Sequence, residues 1–210
     1  MSPAARILVI RHGETPSNAA RIFQTPQTPL SDRGAAQADR LAERLAKLPL
    51  GLVLASDLER AHQTARAVVA ASGARLELEP LLHERNFGDL RGTAYSDVEG
   101  DAFARGYAPP GGESWAQFYE RADRAWDAVV AAAARCEGDL AVVTHGLVCG
   151  AFLDRKLSTD VATRTPEVGS HAFANTSVTI ASAAEPWLAE RVGCVEHLEG
   201  FEQAAEAAPA

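Results

Sequence analysis

Short aliphatic runs alternate along the chain with segments of helical spacing. Positions 7–10 (Ile, Leu, Val, Ile), 52–54 (Leu, Val, Leu) and 140–143 (Leu, Ala, Val, Val) are unbroken apolar stretches. That is the pattern of strands buried on both faces in a parallel sheet. Ala38, Leu41, Ala42, Leu45 and Leu48 share one face of a helix opened by Ser31 and stopped by Pro49. Leu58, Ala61, Ala65, Val68 and Val69 share a face of the next, where Ser56 and Glu59 have the spacing of a capping box. Ser114 with Gln117 is a second such box. Behind it runs a long stripe of Trp115, Phe118, Ala122, Ala125, Trp126, Val129 and Ala133, ended by Gly138. Residues 75–79 alternate as a strand closed by Pro80, and a helix over 147–156 follows the run at 140–143. Residues 175–180 and 187–192 predict two final strands paired as a hairpin. The segment 81–112 has little periodicity and contains Pro109, Pro110, Gly111 and Gly112 in succession. It reads as an irregular excursion holding one short helix.

Strands alternating with helices predict an α/β fold, three-layer α/β/α with a mostly parallel central sheet. The 210 residues show no linker and no internal repeat. A single domain over 1–200 is expected, with a lid-like insertion at about 85–112 and a flexible tail at 201–210. A composition of 47% hydrophobic and 23% charged residues suits a core-bearing soluble protein. The net charge of −8 repels nucleic acid and anionic membranes, so neither is expected as a partner. An anionic ligand then needs a local basic pocket. Cys136, Cys149 and Cys194 are odd in number and form no CxxC pair, which predicts reduced thiols and a cytoplasmic setting. No secretory pattern opens the chain, so Asn175-Thr176-Ser177 reads as a strand start that only coincides with a glycosylation sequon. An edge strand in 175–192 is the candidate contact for a homodimer.

Two places share one local grammar. The runs at 7–10 and 140–143 each lead to a histidine followed by glycine, His12-Gly13 and His145-Gly146. Ligands of open parallel sheets sit beyond the carboxyl ends of the strands. If the two strands are neighbours, the histidines face each other across that crevice, and each glycine lets the backbone approach a ligand. His62, His83, His171 and His197 follow no aliphatic strand and read as structural or surface residues. Arg11 adjoins His12, and Arg60 lies just inside a helix start, where a planar guanidinium and free amides together suit a tetrahedral oxyanion. A surface ion pair is the plainer fate of Arg60. Glu84, in an irregular segment, suits a proton donor to a leaving oxygen if it lies near a bound phosphate. No metal-binding histidine spacing, Walker loop, GxGxxG or GxSxG is found, so neither a metal nor a cofactor is expected.

Taken in order, these motifs resemble the histidine phosphatase superfamily, in its phosphoglycerate mutase-like group. The matching stretches are Arg11-His12-Gly13-Glu14-Thr15 with Asn18, the run from Pro29 to Gly34 with Gln37, and Ser56 to Ala65 around Arg60. The acid loop from Leu82 to Gly92, the turn at Gly111 to Ser114, and Val142 to Gly146 complete the set. The resemblance implies a phosphoglycerate mutase-like fold and a histidine phosphatase domain. It implies His12 as nucleophile forming a phosphohistidine, and Arg11, Arg60 and His145 holding the phosphoryl oxygens. Asn18, Gln24 and the Gly146 amide assist, and Glu84 acts as general acid and base.

The implied activity is metal-independent hydrolysis of small phosphorylated metabolites. Two alternatives remain: a 2,3-bisphosphoglycerate-dependent phosphoglycerate mutase, and a non-catalytic module that binds a phosphorylated ligand. Only 61 positions separate Glu84 from His145, short for a mutase that grips a second anionic group. Arg91, Arg105, Arg121, Arg124 and Arg135 are among the basic residues of that stretch. Asn86, Phe87, Tyr95, Tyr107 and Trp115 are the expected specificity contacts.

Overall fold

The computed structural model describes residues 4–159 and 173–201, so the predicted tail beyond residue 201 and His171 lie outside the described residues. The chain forms β1 (Arg6–Arg11), α1 (Pro16–Ala19), α2 (Asp32–Leu45), β2 (Leu50–Ala55), α3 (Glu59–Ser72) and β3 (Arg75–Leu78). It continues through α4 (Trp115–Ala134), β4 (Asp139–Thr144), α5 (Gly146–Arg155), β5 (Ser158–Thr159), β6 (Val178–Ser182) and β7 (Leu188–Cys194). No helix of the described residues is long and apolar enough to cross a membrane.

The seven strands form one mixed sheet in the order β3-β2-β4-β1-β6-β7-β5. Neighbours from β3 to β1 are parallel, and β6 is antiparallel to both β1 and β7. Strand alternation divides the core between the two faces. Ile7, Val9, Leu140 and Val142 join Phe118 and Trp126 of α4 and Phe152 of α5 in one cluster. Leu8, Ile10, Ala141 and Val143 join Leu41 and Leu45 of α2 and Ala61, Ala65 and Val68 of α3 in the other. Runs that are apolar at every position are what two covered faces require.

Helix boundaries follow their caps at two of three predicted places. The Ser31 hydroxyl accepts the Gly34 N–H at 3.0 Å, and Ser114 with Gln117 forms a reciprocal capping box. The box predicted at Ser56 and Glu59 does not form. Leu58 is the N-cap of α3 and no side chain caps it, while the Ser56 hydroxyl lies 2.9 Å from His145 Nε2. The cause is strand register: Ala55 lies opposite Val143, which brings Ser56 level with Thr144, the last residue of β4 and the neighbour of His145.

Residues 80–112 hold three short 3₁₀ turns (80–82, 88–90 and 95–97) where one short helix was predicted. Two guanidinium groups pin this segment. Buried Arg85 donates to the carbonyls of Ala102, Tyr107 and Glu113 and stacks 4.3 Å over the Trp115 ring. Arg121 of α4 donates to the carbonyls of Leu81, His83 and Glu84 and to the Glu113 carboxylate. The predicted terminal hairpin forms, but β6 is interior and β7 carries β5 beside Leu188 and Ala189. Among the described strands, β3 and β5 are the edges, so the edge expected in 175–192 is partly covered.

Candidate active site

Register places the chemistry. Arg11 lies opposite Thr144 in the β1–β4 pair, so His12 and His145 leave adjacent parallel strands side by side. Their ring centroids are 5.1 Å apart in an edge-on arrangement at 61°. His12 Nδ1 lies 2.6 Å from the Gly13 carbonyl oxygen, an acceptor, so Nδ1 carries the proton. Nε2 is then the lone-pair nitrogen and accepts the Arg60 Nε–H at 3.2 Å. Burial, reinforced by Arg60 and Arg11, holds the His12 pKa well below its ordinary 6.5 and keeps the ring neutral. His145 is also depressed, by burial first and then by Arg60 and His12. Its Nε2 meets Ser56, and its buried Nδ1 has no partner among the described residues.

Arg60 is 2% exposed and makes no ion pair among the described residues, so the surface-pair reading does not hold. It donates to the Thr25 carbonyl at 3.2 Å, and burial lowers its pKa to about 10. Arg11 donates from Nη1 to the Phe173 carbonyl, while its buried Nε has no partner among the described residues. Glu84 accepts the Arg85 N–H at 3.0 Å and the Leu147 N–H at 3.1 Å, the latter from the first turn of α5. Burial raises its carboxyl above the ordinary 4.5, against the pull of those amides and of Arg60 and Arg11.

Every site residue read from the sequence except His145 lines one cavity of ≈ 470 Å³: Arg11, His12, Asn18, Gln24, Arg60, Glu84 and Gly146. His145 is fully buried against His12 and forms no part of the wall. Asn18 and Gln24 are both tied to Thr15, Asn18 Oδ1 by its N–H and Gln24 Oε1 by its hydroxyl. The two post-histidine glycines differ. A methyl group at Gly13 would lie 2.5 Å from the Gly34 carbonyl oxygen, so that glycine serves packing against α2 and not ligand approach. At Gly146 the nearest atom would be Arg11 Nε at 3.6 Å, an ordinary contact.

Three contributors were missed. Ser56 has the sequence signature of a cap and meets His145. Thr64 accepts the Gly13 N–H at 3.1 Å and carries no local signal. Asn175 stands in the sequence only as a strand start that coincides with a sequon, yet its Nδ2 donates to the His12 carbonyl at 3.0 Å and to Asn18 Oδ1 at 3.3 Å. Of the expected specificity residues, Phe87 and Tyr95 line the cavity. Asn86 accepts from the Gly88 N–H, and Tyr107 and Trp115 pack around Arg85. Of the arginines between Glu84 and His145, Arg85 and Arg91 line the cavity, while Arg121 and Arg135 are engaged with Glu113 and Glu77.

A family model for the histidine phosphatase superfamily (branch 1) matches residues 7–186. The chain belongs to that superfamily. Phosphoglycerate mutase-like protein 4 of Arabidopsis thaliana is 34% identical over 220 residues, covering 95% of this chain and 90% of its own. A metal-independent phosphoserine phosphatase of the same plant is 36% identical, covering 72% and 68%. Among solved structures, mycobacterial glucosyl-3-phosphoglycerate phosphatase in complex with VO3 superposes with a TM-score of 0.71 at 30% identity, covering 85% of this chain and 91% of that one. Relatives of this chain are thus phosphatases and mutases of one superfamily.

Proposed function

We propose that the protein is a metal-independent phosphomonoesterase working through a phosphohistidine on His12. The observation that carries this reading is a neutral imidazole whose Nε2 lone pair meets Arg60, in a cavity that also holds Arg11 and a buried carboxyl. His12 Nε2 attacks phosphorus, the N–P bond forms and the ester P–O bond breaks. Protonated Glu84 gives its proton to the departing alkoxide. A water then attacks phosphorus, Glu84 takes its proton, and the N–P electrons return to the imidazole. Arg60 leaves the lone pair for the phosphoryl oxygens, where it and Arg11 meet the charge that grows in the transition state. The solved relative that holds VO3, an oxyanion of the same class as a phosphoryl group, supports an oxyanion site in this fold. The three unpaired cysteines fit a cytoplasmic enzyme.

The test is phosphate release from a panel of phosphomonoesters in EDTA, with Glu84→Gln beside the parent. Loss of the acid costs about 10²- to 10⁴-fold on alkyl phosphates. It costs far less on p-nitrophenyl phosphate, whose leaving group needs no proton. Equal losses on both would remove Glu84 from the acid role, and activity abolished by EDTA would remove the metal-independent mechanism. Isomerisation of 3-phosphoglycerate without phosphate release would establish the mutase instead.

A further inference from the structure

The cavity is several times larger than a phosphoryl group needs, and part of its remaining wall is aromatic. Phe23, Phe87, Tyr95 and Phe103 form a cluster with centroid separations from 4.4 to 5.7 Å, and all four line the cavity. Three are phenylalanines, and packing alone asks for nothing else. Tyr95 is the exception. Its ring is clamped by Phe23 at 4.4 Å and Phe103 at 5.2 Å, with the Arg21 guanidinium 5.9 Å from its centroid. Its backbone N–H donates to the Arg21 carbonyl at 2.9 Å, and the neighbouring Ala94 bridges to Ile22. The ring orientation is therefore fixed from both sequence-distant sides.

The phenol itself has no hydrogen bond among the described residues, although the side chain is half-buried. It lies in the electrostatic field of Glu84, Arg11 and Arg60, the groups that surround the scissile ester in the proposed mechanism. A phenol that no protein group engages is free to bond water or a ligand. We propose that Tyr95 reads the alcohol half of the substrate. Its phenol donates a hydrogen bond to an oxygen that the alcohol carries beside the ester carbon. Hydroxylated phosphate esters are thereby preferred to plain alkyl phosphates, while the phenylalanines pack against the carbon chain. This rests on the phosphomonoesterase reading.

Glycerol 3-phosphate and propyl phosphate share a three-carbon chain and differ in the hydroxyls of the alcohol. The parent protein should favour the former by about tenfold in kcat/KM, the size of one net hydrogen bond. Tyr95→Phe keeps the ring and its packing. It should erase the preference while leaving propyl phosphate within about twofold of the parent and the melting temperature unmoved. No preference in the parent, or a preference that survives Tyr95→Phe, overturns the assignment. If neither these esters nor p-nitrophenyl phosphate is turned over, the phosphomonoesterase reading fails by itself. Calorimetric binding of the same two esters to His12→Ala, with and without Tyr95→Phe, then decides the role of Tyr95. Tighter binding of the hydroxylated ester that vanishes with Tyr95→Phe supports it, and equal binding of the two overturns it.

Discussion

The two strand-histidine-glycine units are near copies in sequence and opposites in surroundings. His12 has a carbonyl on one nitrogen and a guanidinium on the other, and it faces the cavity. His145 has a serine on one nitrogen, no partner on the other among the described residues, and no place in the cavity wall. The glycine of the first is required by a helix packed against it, and the glycine of the second opens a helix. A shared motif therefore fixes where a histidine sits, at the end of a central strand. The groups brought by neighbouring strands fix what it does.

Exchange of roles is the strongest challenge to that contrast. His12→Ala should lose turnover by on the order of 10⁴-fold or more, keep phosphate affinity, and yield no phosphoenzyme after quenching with labelled substrate. His145→Ala should lose about 10²- to 10³-fold and still become labelled. Labelling of the His12 variant would break the comparison outright. Ser56→Ala sharpens it at smaller scale. If the hydroxyl serves His145, turnover drops about tenfold with little change in melting temperature. A cap lost from α3 would do the reverse, lowering the melting temperature by several degrees and sparing the rate.

The smallest effect is one of pH. Both histidines have folded pKa values below the unfolded 6.5, so the unfolded chain binds protons that the native state refuses. Stability is full above that value and is lost as pH falls, by about 0.7 kcal/mol per histidine between pH 7 and 6. Glu84 is raised instead, and its contribution opposes this trend as pH falls toward 4.5. Urea unfolding at pH 7 and 6 should show a shallower loss in His145→Gln than in the parent. Identical slopes would mean that His145 is not held neutral by the fold.

The frame of the molecule was legible because its signals are local. Aliphatic runs gave β1, β2 and β4, the Ser31 and Ser114 caps placed α2 and α4, and the ordered motifs brought Arg11, His12, Arg60 and Glu84 to one cavity. What stayed hidden depends on partners distant in sequence. Serine at a helix start looks the same whether it serves only local amides or also meets a histidine 89 positions away. Asn175 shows its role only once β6 lies beside β1 and sets it against the His12 carbonyl. Within 80–112, two arginines replace the periodicity by which regular structure is read.

Arg121 binds three carbonyls at the entry to that acid loop, those of Leu81, His83 and Glu84, to one point on α4. Its guanidinium ties carbonyls that no ladder serves, so the loop can open only by giving up the whole set together. Amide exchange there should then follow the rhythm of a single cooperative unit joined to the first turns of α4, as slow as a packed element and unlike a surface coil. Motion at Glu84 should then be confined to its side chain, with the peptide frame beneath it moving only when that unit opens.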